Sequence, residues 1–211
     1  MKNLDMRERL ATIAVLVWLV CDFLTTVGSV VTASTTGREA ATIFSAAELQ
    51  NMDRFSTVAS LLYMLAFLVS AICVGRWIYR ANANAHTLSD AMIISPGWSV
   101  GWYFIPIASL FKPFQAMRET WQVSACPSDP YSAPVPAVMR IWWGLWVAST
   151  ILSNVSSRIS FNTMSFHEAW LVAWLEIITF VLDVPLVIAL IILMRRLTAN
   201  QRAVVDTRIF E

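Results

Sequence analysis

Charged side chains are scarce in this chain: Asp, Glu, Lys and Arg make up 14% of its 211 residues, where a soluble domain carries about a quarter. That deficit excludes a solvated surface of the usual kind. The 15 basic and 14 acidic residues leave a net charge of +1, so no basic face offers itself to nucleic acid. Histidine occurs twice and cysteine three times. Cys21, Cys73 and Cys126 have no CxxC or metal-ligand spacing and read as small apolar residues. His86 and His167 fall in predicted connections, as solvated residues, whereas a bundle-held haem needs histidines within the spans. No HExxH motif occurs, and neither Asp22 nor Asp183 stands in the GxGD context of an intramembrane aspartyl protease. No catalytic residue, metal or cofactor is expected, and the chain reads as a non-enzyme.

What is present is apolar: 57% hydrophobic residues, mean hydropathy +0.61 and ten Trp. Four long runs stand out, predicting spans over about 10–33, 55–79, 138–157 and 168–194. A hydrocarbon core of roughly 30 Å needs about 20 helical residues, so each run is long enough to cross it. The first run continues past Cys21 to about Ala33, so it reads as a retained span and not as a cleaved leader. Lys2, Arg7 and Arg9 precede the first span, and Arg195, Arg196, Arg202 and Arg208 follow the last. Under the positive-inside bias both termini are then cytoplasmic, and the number of spans must be even. Four spans place Arg76, Arg80, Lys112, Arg118 and Arg140 inside and leave Arg38, Arg54 and Arg158 outside.

Between the second and third spans lies SPGWSVGWYFIPIASLFKPFQAMRETW, Ser95 to Trp121. The portion from Gly97 to Phe111 is short for a span, about 22 Å as a helix, and Pro106 interrupts it. It therefore enters and leaves by one face, or lies in the interface. Pro113 opens a helix in which Phe114, Met117 and Trp121 recur at 3 and 4 residue spacing. That stripe rests on the membrane or packs on the bundle. Trp98 and Trp102 read as interfacial anchors, and Gly97 with Gly101 makes a weak GxxxG that would admit a neighbouring backbone.

This stretch, together with WWGLWVASTILSNVSSRIS from Trp142 and VLDVPLVIALIILMRRLTANQ from Val181, resembles the bacterial integral-membrane family catalogued as domain of unknown function 4328. The resemblance runs from roughly Ala81 to Gln201. It implies a four-span bacterial membrane protein and carries no catalytic role.

Three carboxylates sit inside predicted spans: Asp22, Glu176 and Asp183. Such groups cost roughly 2.5–3.5 kcal/mol at a helix centre, so they should face protein or water. Glu176 and Asp183 share one helix face, and Asp22 and Asp183 both fall near the bilayer midplane. If the first and last helices are neighbours the two aspartates can meet and share a proton. The plainer reading is structural: each acid is hydrogen-bonded by the polar stripe Ser149, Ser153, Asn154 and Ser156, with Arg158 pairing with Glu176.

Two capping boxes, Ser45 with Glu48 and Ser165 with Glu168, should open the second and fourth long helices. The segment from Ala81 to Ala137 reads as the longest connection. GRWIYRANAN and LMRRLTAN hint at an internal duplication. The expectation is a single all-α membrane domain over 1–211, a polytopic protein of four transmembrane helices. An interfacial or re-entrant amphipathic element over about 96–124 completes it. It would sit in the inner (cytoplasmic) membrane with both termini inside. The expected role is a scaffold or accessory subunit engaging lipid or a membrane-protein partner through Trp98, Trp102, Phe114, Met117, Arg118 and Trp121. The alternative is proton or cation conduction through Asp22, Glu176 and Asp183, in a homo-oligomer because four helices make a thin wall.

Overall fold

A computed structural model describes residues 4–36, 40–160 and 165–209; Lys2 and Arg38, two of the orientation-setting cations, lie outside them. Among the described residues every regular element is helical. The long helices are α1 (Leu4–Thr35), α3 (Ala46–Leu88), α6 (Ala137–Ser160) and α7 (Phe166–Ile209), with a single turn, α2 (Ala40–Ile43), before α3. Between α3 and α6 come α4 (Pro96–Gly101), two 3₁₀ turns (Trp102–Phe104 and Ile107–Leu110), α5 (Lys112–Ala125) and a third 3₁₀ turn (Pro130–Ser132). Among the described residues three helices are long and apolar enough to cross a membrane: α1, α3 and α7. The fourth expected span, α6, is not among them, because three Trp and a run of Ser and Asn dilute its apolar content.

Both capping boxes form. Ser45 N–H donates to Glu48 Oε2 at 2.8 Å and Glu48 N–H to Ser45 Oγ at 3.3 Å; the Ser165–Glu168 pair repeats this at 2.7 and 3.4 Å. These reciprocal bonds satisfy backbone donors that an open helix start leaves unpaired. Helix α3 runs on to Leu88, eight residues into the segment read as a connection. No Pro or Gly interrupts Arg76–Leu88, and a short non-helical stretch, 89–95, then leads to α4. His86 is therefore helical and not a solvated loop residue, and its Nε2 lies 3.1 Å from the Ile94 carbonyl.

The chain forms two compact units. The first comprises the residues up to Ala14, Ser70–Gly144 and those from Ile188 on. Its interior is apolar, with Trp77, Met139, Leu193, Met194 and Leu197 fully buried. A polar network runs through it. Gln201 Nε2 donates to the Ala81 carbonyl at 2.8 Å and to Ser124 Oγ at 2.9 Å, while Asn84 Nδ2 donates to Gln201 Oε1 at 3.1 Å. Asn82 Nδ2 donates to Thr120 Oγ1 at 3.0 Å. Helices α3, α5 and α7 are thus joined by buried, directional bonds that an apolar contact alone would not fix.

The second unit comprises Val15–Val69 and Leu145–Val187. Its polarity is inverted. Val20, Leu61, Leu65, Trp174 and Val181 are exposed, while Asp22, Thr26, Ser149, Ser156, Thr179 and Asp183 are buried. In water this arrangement is unfavourable on both counts; in hydrocarbon it is the stable one, since apolar side chains face lipid and polar groups find partners inside. Ser56 Oγ donates to the Gly28 carbonyl at 3.3 Å, and a side chain at Gly28 would meet Ser56 at 3.4 Å. The two helices are in contact at this point, with room for a methyl group at Gly28.

Candidate functional site

Within the second unit, four helices each turn one face toward a cavity of about 320 Å³. Helix α1 contributes Asp22, Thr25, Ser29 and Thr32; α3 contributes Ser56, Ser60 and Tyr63. Helix α6 adds Ser153, Ser157 and Ser160, and α7 adds Ala169, Val172, Glu176 and Thr179. Every set recurs at three or four residues, the spacing of a single helix face. From Asp22 to Thr32 the lining extends about 15 Å along α1 at helical rise. Neither lysine nor arginine lines it.

The three acids all belong to this unit, but in different states of partnership. Ser149 Oγ donates to Asp183 Oδ1 and Ser156 Oγ to Glu176 Oε1, both at 2.6 Å. These serines are seven residues apart on α6, as the acids are on α7, so the two rungs repeat at matched register. Two of the four polar residues expected to serve the acids do so. Asn154 turns away and donates to the Thr150 carbonyl at 2.7 Å. The expected Arg158–Glu176 ion pair does not form: Arg158 is exposed, and it lies two residues, about 200° of helix rotation, from Ser156, which holds the carboxylate. Asp22 is 4% exposed, and its Oδ2 is buried without a hydrogen-bond partner. It lies within electrostatic reach of Asp183 and Glu176. Asp22 and Glu176 line the cavity; Asp183, tied to Ser149, is not among the lining residues.

The residues expected to form a partner or lipid surface are distributed differently. On α5, Met117 is 3% and Trp121 8% exposed, both inside the first unit. Trp121 Nε1 donates to the Pro134 carbonyl at 3.3 Å, so the proline-rich return packs on this helix. Phe114 is half-buried, 6.1 Å from the Trp143 ring. The stripe faces protein, while Arg118 at its border is exposed. The Trp98 and Trp102 rings lie 4.5 Å apart, tilted by 30°, with Lys112 Nζ 5.8 Å from the Trp102 ring centre. Gly101 accommodates the Trp98 indole, since an added Cβ would sit 3.2 Å from it, and nothing approaches Gly97 within 4 Å. The GxxxG spacing therefore serves a ring and not a backbone. Trp98 is itself half exposed, and Phe104, Ile107 and Phe111 also point outward.

Sequence reasoning passed over one feature and wrongly read a GxSxG motif as absent. The Thr25, Ser29 and Thr32 face continues Asp22 along α1, a periodicity visible in the sequence. Gly97-Trp98-Ser99-Val100-Gly101 matches GxSxG. Ser99 lies inside α4, 1% exposed, with Oγ donating to the Pro96 carbonyl at 2.7 Å. No strand precedes it among the described residues, so the strand-turn-helix context of a nucleophile elbow is missing.

Neither the curated proteins nor the solved structures contain a match to this chain. A family model described as Domain of unknown function (DUF4328) matches residues 40–199.

Proposed function

Since the chain belongs to the DUF4328 family, whose description assigns no activity, its role has to be argued from this geometry, and we propose a non-enzymatic, four-span membrane protein that takes up a proton or small cation. In this reading α6 is the fourth span, paired with α7 through its serine rungs, and both termini lie on the cytoplasmic side of the inner membrane. The observation that carries the proposal is Asp22: a buried carboxylate with an unpartnered oxygen, lining a hydroxyl-rich cavity that Glu176 also lines. A buried carboxyl with an unpartnered oxygen is costly in a purely structural role, because structural acids are normally paired. Asp183 then serves as the neighbouring acid, positioned by Ser149. Conduction through so thin a wall calls for a homo-oligomer in the bilayer.

The test is proton and monovalent-cation flux in liposomes carrying the purified protein, for wild type, Asp22→Asn and Asp183→Asn over a pH series. Flux lost in Asp22→Asn and reduced in Asp183→Asn supports the proposal. Absence of flux in a wild-type protein that is folded and inserted refutes it.

One observation favours the second reading, a scaffold or accessory subunit. Phe104 is 81% and Ile107 78% exposed in the 3₁₀ segment, an apolar projection suited to lipid or to another membrane protein. Capture of a membrane partner that is lost in Phe104→Ser with Ile107→Ser, and kept in Asp22→Asn, would favour it over ion handling.

A further inference from the structure

Most hydroxyls in the cavity direct their single proton at the backbone. Thr25 Oγ1 donates to the Asp22 carbonyl at 2.8 Å, Ser29 Oγ to Thr25 at 3.1 Å and Ser56 Oγ to Gly28 at 3.3 Å. Likewise Ser60 donates to the Ser56 carbonyl at 2.9 Å, Ser157 to Ser153 at 2.8 Å and Thr179 to Leu175 at 2.8 Å. A hydroxyl has one donor and two acceptor lone pairs. With the proton committed to the helix, what each side chain has left for the cavity is acceptor oxygen. Asp22 and Glu176 add carboxylate oxygens, which only accept when ionised. The polar part of the wall is therefore largely an array of acceptors with no cationic side chain among them.

An acceptor wall discriminates by chemistry. An anion finds few donors and two like charges there, and a sugar leaves most of its own acceptors unpaired, a loss that is costly away from bulk water. A ligand that is positive and can only donate, or coordinate oxygen, satisfies every group at once. The cavity volume of about 320 Å³ holds roughly ten waters at about 30 Å³ each, so it admits a hydrated ion or a short-chain amine. Among the described residues no three His, Cys, Asp or Glu side chains are grouped as a metal site. Most of the polar groups on the wall are neutral hydroxyls, and a small divalent ion gives up its hydration shell reluctantly, so a singly charged ion suits this wall better than a doubly charged one.

We infer that the cavity binds a small monovalent cation, an alkali ion with part of its hydration shell or a primary ammonium, held between Asp22 and Glu176 by hydroxyl oxygens whose protons are engaged on the helix backbones. This rests on the cation-handling reading above and narrows it to a bound ligand; a pathway used by protons alone would not need such a wall.

The test is thermal unfolding of the full chain in detergent, read by its tryptophan fluorescence. Sodium, potassium or methylammonium chloride is titrated against N-methylglucamine chloride at constant ionic strength, because a ligand of the folded state raises the melting temperature saturably. At least one of the three cations should raise it, and replacing chloride by gluconate should change nothing. A response to sodium or potassium alone identifies the alkali ion; a stronger response to methylammonium identifies the amine. Asp22→Asn should weaken half-saturation at least tenfold and Thr179→Val about threefold, the latter leaving the carboxylates in place. No saturable response beyond N-methylglucamine, a response that follows the anion, or a wild-type response in both variants overturns the inference. Mutation-sensitive proton flux without cation-dependent stabilisation leaves the broader function standing and removes this site. Saturable stabilisation without any flux does the reverse.

Discussion

At the scale of single residues, the acids divide into two that are held and one that is not. Ser149→Ala removes the donor to Asp183 Oδ1 and leaves a buried carboxylate oxygen unsatisfied, at a cost of about 1–3 kcal/mol. Chemical denaturation in micelles should show that loss, and Ser149→Thr, which keeps the hydroxyl, should recover most of it. Asp22→Asn behaves oppositely in the absence of small cations. It replaces a buried, unpartnered acid by a neutral group of the same shape, so the variant should unfold at a higher temperature than wild type. An unchanged or lower melting temperature would mean that Asp22 is already satisfied in the resting protein. The three acids were legible in the sequence because any charge within an apolar run is conspicuous. Their partners were only half legible. A serine stripe reveals donors without telling which of them faces the acid, and Arg158 misled because its proximity in sequence to Ser156 hides their opposite directions around α6.

The elements show how far periodicity carries and where it stops. The α5 stripe of Phe114, Met117 and Trp121 could be read from spacing, but spacing is equally compatible with lipid or protein on the apolar side. The decision lies in long-range partners: the Pro134 carbonyl for Trp121 and the Trp143 ring for Phe114. The extension of α3 to Leu88 was missed because Asn82 and Asn84 read as loop residues; buried against Thr120 and Gln201, they are tertiary contacts that override a modest helix propensity. Gln201→Ala removes the donor to the Ala81 carbonyl and the acceptor for Asn84. It should destabilise the first unit by about 2–6 kcal/mol, each of the two stranded groups costing about 1–3. Hydrogen exchange should show the loss as faster exchange in α5 while the second unit keeps its protection. Ser165→Ala should cost about 1 kcal/mol through the lost cap, seen as fraying confined to the first turn of α7.

For the whole molecule, the membrane assignment stands on two independent facts: three helices of spanning length and apolarity, and a unit with apolar exterior and polar interior. Composition predicted the first. The second needed coordinates, since the Ser and Thr faces that meet inside are indistinguishable in sequence from solvated ones. The proposed four spans place Asn51, at the start of α3, and Ser128, between α5 and α6, on opposite sides of the membrane. In a cysteine-free background, Asn51→Cys should react with an impermeant thiol reagent in intact cells, and Ser128→Cys only after permeabilisation; reaction of both from outside would contradict the four-span arrangement, in which α3 is the one span between the two positions. The central claim is that the cavity is an acceptor wall that favours positive charge, and charge-selective access tests it most directly. With Cys21, Cys73 and Cys126 replaced, a single cysteine at Ser157 is exposed to cationic and anionic methanethiosulfonates of equal size, and the two modification rates are compared. The account predicts that the cationic reagent reacts on the order of tenfold faster through electrostatic focusing, and that Asp22→Asn largely removes the preference; equal rates, or a faster anionic reagent, would contradict it.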